Sequence, residues 1–82
     1  MYKSRQDFAN DADYIQYMKQ ALEPGLRVKM LCDWYGRVGP GRLGTVTSSV
    51  YTDGFGRDRV KVQFDSGPSD FEVMCWVVEI VN

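Results

Sequence analysis

The stretch Arg59-Val60-Lys61-Val62-Gln63-Phe64-Asp65 decides the fold class. Apolar and polar residues alternate along it without a break. A period of two sets Val60, Val62 and Phe64 on one face and Arg59, Lys61 and Gln63 on the other, as in a half-buried β-strand. The same period runs through Leu26, Val28 and Met30 upstream, and through Phe71, Val73 and Cys75 downstream. The segment 43–51 reads as a further strand, with Gly44 inside it marking a bulge or a sharp bend. A last short strand is expected over 79–81. Between these runs lie glycine- and proline-bearing connections: a long irregular loop over 32–42, a turn over 52–58 and a tight turn at Ser66-Gly67-Pro68-Ser69. The strands are therefore placed at about 26–31, 43–51, 59–65, 70–76 and 79–81.

Ahead of the strands the period changes. Tyr14, Ile15, Met18, Ala21 and Leu22 recur at three-to-four spacing, which makes one apolar stripe of a helix over about 11–22. Asn10 or Asp11 supplies the N-cap, and Asp11 and Asp13 suit the positive end of the helix dipole. Pro24 stops the helix and Gly25 turns the chain. A helix this short is marginal alone, so it must pack on the strands or on a partner. Residues 1–10 are polar and are expected to be a flexible segment, with Phe8 able to dock. The expected architecture of 11–82 is one domain of mainly β class: a small five-stranded SH3-like barrel preceded by one short N-terminal α-helix.

Composition narrows the function. The 82 residues make one domain, with 44% hydrophobic residues and a formal charge of −1. There is no histidine, the commonest general base and metal ligand, and Cys32 and Cys75 alone cannot complete a four-ligand zinc site. Neither the cysteines nor the serines have an imidazole base beside them, so no catalytic residue, metal or cofactor is expected. Cys75 falls on an inward strand face and reads as a small buried hydrophobe. Cys32 is the thiol that would have to titrate low for a catalytic reading to stand. Asp65 and Asp70 face each other across the Gly67-Pro68 turn and read as solvated turn residues. The glycine-rich run over 36–41 lacks the lysine and the following helix of a phosphate loop. No apolar run approaches the roughly 20 residues of a membrane span. The N-terminus lacks a signal-peptide core. The expected location is cytoplasmic, with the nucleus as a second compartment.

What remains is binding. Trp34 and Tyr35 sit in a long loop among polar and glycine neighbours, either as anchors that pin the loop or as contacts for a partner, with Tyr35 the more exposed of the two. Arg37, Arg42, Arg57 and Arg59 lie in or next to two loops, near Tyr51 and Phe55. Residues 24–82 hold seven basic and seven acidic side chains, a balance that argues against a dedicated nucleic-acid surface. The candidate partner-binding residues are Asp33, Trp34, Tyr35, Arg37, Tyr51 and Phe55. The partner is expected to be a protein, bound by a domain that is monomeric in isolation. The alternative is a Tudor- or chromo-like reader, or a nucleic-acid-binding barrel of SH3-like shape.

The run over 14–34, YIQYMKQALEPGLRVKMLCDW, resembles the opening of the CPH domain of large E3 ubiquitin ligases of the cullin, PARC and HERC kind. There too a short helix with spaced tyrosines leads through Pro-Gly into a strand that ends in Met-Leu-x-Asp-aromatic. The ending Val78-Glu79-Ile80-Val81 is similar as well. The middle departs: CPH domains carry an acidic loop after the aromatic, where this chain has Tyr35-Gly36-Arg37-Val38-Gly39-Pro40-Gly41-Arg42. They also end in an aromatic-rich strand, where it has Phe71-Glu72-Val73-Met74-Cys75-Trp76. Asp33-Trp34, the run over 39–46 and the run over 60–67 resemble the Mind bomb/HERC domain, another SH3-like barrel of E3 ligases. Both resemblances imply a non-catalytic module that recruits a substrate or regulator to a ubiquitin ligase. CPH domains bind the tetramerisation domain of a tumour-suppressor transcription factor, so that domain is one implied partner.

Overall fold

The structure, a computed structural model, describes residues 1–66 and 70–82. The Gly67-Pro68 turn expected from the sequence lies outside the described residues. After a 3-10 turn at Arg5–Asp7 comes one helix, α1 (Asp11–Ala21). Six strands follow: β1 (Arg27–Met30), β2 (Leu43–Val46), β3 (Tyr51–Thr52), β4 (Asp58–Phe64), β5 (Asp70–Met74) and β6 (Val78–Ile80). All pairings are antiparallel. β1 lies between β6 and β2, β2 pairs with the second half of β4, β3 pairs with its first half, and β5 runs along the far edge of β4.

The mainly β class and the single short helix agree with the sequence reading; the count of five strands and the closed barrel do not. The sheet is open, because among the described residues β5 and β6 at its two ends are not paired with each other. The extra strand arises where the expected strand over 43–51 splits. Beyond Val46 one main-chain bond remains, from the Thr47 N–H to the Lys61 carbonyl, and side chains then take over: the Thr47 hydroxyl donates to the Asp70 carboxylate at 2.8 Å, and the Ser48 hydroxyl accepts from the Lys61 N–H. Ser and Thr compete with the ladder in this way. Tyr51 and Thr52 then rejoin β4 opposite Arg59 and Asp58.

One apolar core holds these elements together. Val28, Met30, Val46, Val60, Val62, Phe64, Val73, Cys75, Val78 and Ile80 of the sheet side meet Tyr14, Met18 and Leu22 of the helix side, all buried. The helix starts where Asn10 accepts the Asp13 N–H at 2.9 Å. It ends before Pro24 and Gly25, where Gly25 takes φ +99° and donates to the Val46 carbonyl. Inside the core the Tyr14 hydroxyl donates to the Val78 carbonyl of β6 at 2.5 Å. Gly44 is a close-approach site rather than a bulge: a Cβ there would meet Val62 Cγ1 at 2.8 Å and the Gln63 carbonyl oxygen at 2.9 Å.

The first ten residues, expected to be loose, carry their own contacts. Phe8 packs against the rings of Tyr14 and Tyr17 with centroids 5.3 and 5.2 Å away. The Arg5 N–H donates to the Glu79 carboxylate at 2.7 Å. Tyr2 and Asn82 exchange two hydrogen bonds.

Candidate functional site

The connection from β1 to β2 is a miniature hairpin. The Trp34 N–H donates to the Val38 carbonyl at 2.8 Å, and the Arg37 N–H donates to the Trp34 carbonyl at 2.9 Å. The two central residues both have positive φ, Tyr35 at +52° and Gly36 at +71°. That is the requirement of a type I′ turn. Asp33 does not project toward the cleft described below; its carboxylate accepts the Gly36 N–H at 2.9 Å and so holds the turn. Glycine adopts this backbone region freely, whereas for a bulky side chain such as tyrosine it is uncommon. The outcome is that Tyr35 stands 78% exposed at the tip. Trp34 is half-buried against the core, and its ring meets that of Tyr35 edge to face at 4.9 Å and 81°. The two residues thus divide the roles that the sequence left open: Trp34 anchors, Tyr35 projects.

Trp34, Tyr35 and Arg37 line a cleft of about 420 Å³, and its other wall is formed by Phe71 and Glu72 of β5. Three of the six expected residues therefore come together, with two that sequence reasoning did not include. Phe71 follows the inward alternation of β5 and reads as core; it is half-buried, its ring 5.9 Å from that of Phe64. Glu72 reads as an ordinary exposed strand residue. Nothing in its local sequence marks its nearness to a loop more than 30 positions earlier.

Tyr51 and Phe55 belong to a separate hairpin, β3–β4, and do not line the cleft. Burial first, then the neighbouring Glu72 carboxylate, push the Tyr51 hydroxyl above its ordinary value, so this residue lies on the Glu72 side of the sheet. Phe55 is 86% exposed at the hairpin tip, with the Arg57 guanidinium 5.7 Å from its ring centroid. Asp53 orders that tip. Its carboxylate accepts from the Phe55 and Arg57 N–H groups at 2.8 and 3.0 Å, and from Arg59 Nε at 2.6 Å. These bonds, the Arg57 N–H foremost, lower Asp53 from 3.8 to about 2. Arg59 is therefore committed to an ion pair, whereas Arg37 and Arg42 have none among the described residues.

The two thiols separate cleanly. Cys75 is fully buried, and burial raises its pKa to about 11, far from a reactive value. Cys32 is exposed and free, at the start of the loop that carries Trp34. Among the described residues no cluster of three or more His, Cys, Asp or Glu is placed to hold a metal ion. Among them, too, no helix is long and apolar enough to cross a membrane.

The family model described as Cul7, mouse development and cellular proliferation protein Cullin-7, matches residues 5–82. Neither the curated proteins nor the solved structures provide a match to this chain.

Proposed function

The chain belongs to the Cul7 family, as a CPH domain of the kind found in Cul7/PARC-type E3 ligases, and from that membership we propose that it is a non-catalytic protein-recruiting module. Association with a cullin-type ligase is the setting that the family supplies. Within it, the domain holds a substrate or regulatory protein through the cleft of Trp34, Tyr35, Arg37, Phe71 and Glu72, with Phe55 and Tyr51 as further contacts. The observation that carries this reading is Tyr35. A tyrosine held in the left-handed region and left 78% exposed costs stability and returns little of it through burial. Such strain concentrates where a side chain is displayed for use. Tyr, Trp and Arg are also the side chains that dominate interface energies.

The tetramerisation domain of a tumour-suppressor transcription factor is the first partner to try, because the family resemblance implies it. Calorimetric titration of that domain into the wild type and into Tyr35→Ala tests the reading directly. Loss of about 2 kcal/mol or more, roughly thirtyfold in Kd, is expected on truncating a central aromatic contact. Equal affinities in a folded Tyr35→Ala variant would sink the site. If this partner does not bind at all, affinity capture from cell extract, repeated with the variant, identifies the protein that does.

A second reading has one specific observation behind it. The perpendicular rings of Trp34 and Tyr35 beside the Glu72 carboxylate make a corner that suits a methylated ammonium group. Titration with a trimethyl-lysine peptide and its unmethylated twin separates the two: a clear preference for the methylated form supports a Tudor-like reader. Nucleic-acid binding has weaker support, since Arg59 is already paired with Asp53. Absence of RNA or DNA binding at low salt removes it.

A further inference from the structure

The hydrogen-bond phase of β4 fixes which groups of β5 face outward. Thr47 donates to the Lys61 carbonyl and Asp65 donates to the Leu43 carbonyl, so Lys61, Gln63 and Asp65 turn their main-chain groups toward the β2 side. Val60 and Val62 must then bond to β5, opposite Val73 and Phe71. The bond from the Cys75 N–H to the Asp58 carbonyl gives the same phase independently. Glu72, opposite Lys61, is therefore in a pair that exchanges no hydrogen bonds, and its N–H and carbonyl point away from β4 to the free edge of the sheet. Among the described residues that N–H has no acceptor, and the carbonyl meets only Arg59 Nη1, at 3.4 Å.

The cleft lies at this same edge. Successive residues of a strand point to opposite faces. A cleft lined by both Phe71 and Glu72 therefore reaches the edge of β5, beside the outward main chain of Glu72. Across it stand the Trp34 and Tyr35 rings. Arg37 has no ion pair among the described residues, whereas the Glu72 carboxylate is shared with the neighbouring Tyr51 hydroxyl and Arg59 guanidinium, so the cleft offers an unpaired positive charge on one wall and a shared negative charge on the other.

We propose that the edge of β5 accepts an extended segment of the partner protein as an added strand. This rests on the recruiting role of the same cleft and specifies how it is carried out. The main chain of the segment pairs with the Glu72 N–H and carbonyl. One apolar or aromatic side chain enters between Phe71 and the Trp34–Tyr35 pair, flanked by a basic residue toward Glu72 and an acidic one toward Arg37. Main-chain pairing supplies affinity in this mode, and the pocket for alternate side chains supplies selectivity.

Glu72→Pro is the informative variant. It deletes the outward N–H together with the carboxylate, and proline is tolerated in an edge strand where its nitrogen faces solvent. Glu72→Gln removes the charge and keeps the donor. A phage-displayed random peptide library is panned on the 82-residue domain, and enriched synthetic peptides are titrated against the wild type and both variants. The expected result is that Glu72→Pro weakens the peptides about tenfold, the worth of one main-chain hydrogen bond, whereas Glu72→Gln changes affinity by less than about threefold. Bound peptide should also show strand-like carbon chemical shifts. If Glu72→Pro fails to fold, N-methylation of the peptide at alternate positions makes the same cut from the other side. Failure of the library to enrich any peptide, helical shifts in the bound peptide, or equal binding to Glu72→Pro overturns the proposal. So does concentration-dependent dimerisation that Glu72→Pro abolishes, which would make a second copy the occupant. Peptides that ignore Glu72→Pro but are lost on Tyr35→Ala would leave the recruiting role standing and remove only the added strand.

Discussion

Replacing Tyr35 by asparagine separates display from support. In the left-handed region a bulky side chain costs roughly 1–2 kcal/mol, a cost that asparagine largely escapes. Against this gain stands the loss of the edge-to-face contact with Trp34 at 4.9 Å, worth about 0.5–1.5 kcal/mol. The ring is 78% exposed, so little burial is lost with it. The two effects nearly cancel, and Tyr35→Asn should leave stability within about 1 kcal/mol of the wild type, a shift of no more than about 4–8 °C in Tm for a domain of this size. Trp34→Ala should behave differently. That ring is half-buried against the core, and its loss should cost about 2 kcal/mol, around half the cost of removing a fully buried aromatic. Urea unfolding followed by far-UV circular dichroism measures both, with an unchanged slope showing that the unfolded state is the same. A Tyr35→Asn variant that loses more than about 2 kcal/mol would show that Tyr35 supports the fold, and the case for display would fall.

Gly44→Ala forces a Cβ to within 2.8 Å of Val62 Cγ1 and 2.9 Å of a main-chain oxygen, and overpacking of this kind should cost about 1–3 kcal/mol; an unchanged unfolding midpoint would refute the close approach. Tyr14→Phe leaves the buried Val78 carbonyl without its donor and should cost about 1–3 kcal/mol, read from the same urea curves. At acid pH the sign follows from depressed carboxylates. Asp53 at about 2 and Asp65, held below 3.8 by the Arg27 guanidinium, contribute stability that is present above about 4 and is lost as pH falls toward 2. Thermal melts should show that decline, shallower in Asp53→Asn. At alkaline pH the sign reverses: Cys75, raised by burial from 9.0 to about 11, contributes stability that is complete below 9 and is lost through about 11, a loss that Cys75→Ser should reduce.

Much of the fold is written locally. The alternation over 59–65 forms β4, and the Asn10 cap with the Pro24-Gly25 stop bounds α1 close to its expected ends. The break in the second strand was less accessible, because Thr47 and Ser48 are as compatible with a strand as with the side-chain bonds that they make to Asp70 and Lys61. Closure into a barrel depends on how β5 and β6 meet, which no single segment encodes. At the site, the loop aromatics announce themselves by being large and apolar among glycines. The left-handed Tyr35 does not, since a Tyr-Gly pair lacks the familiar Asn-Gly mark of a type I′ turn. Phe71 and Glu72 join the site only because β5 is brought beside the loop by tertiary packing.

The unequal fates of the two thiols give the molecule a built-in reporter. With Cys75 sealed in the core and Cys32 open to solvent, a maleimide dye added under native conditions should attach once per chain, and twice after denaturation. The single label then sits two residues before the Trp34 indole, where tryptophan quenching registers any rearrangement of the turn without an engineered cysteine.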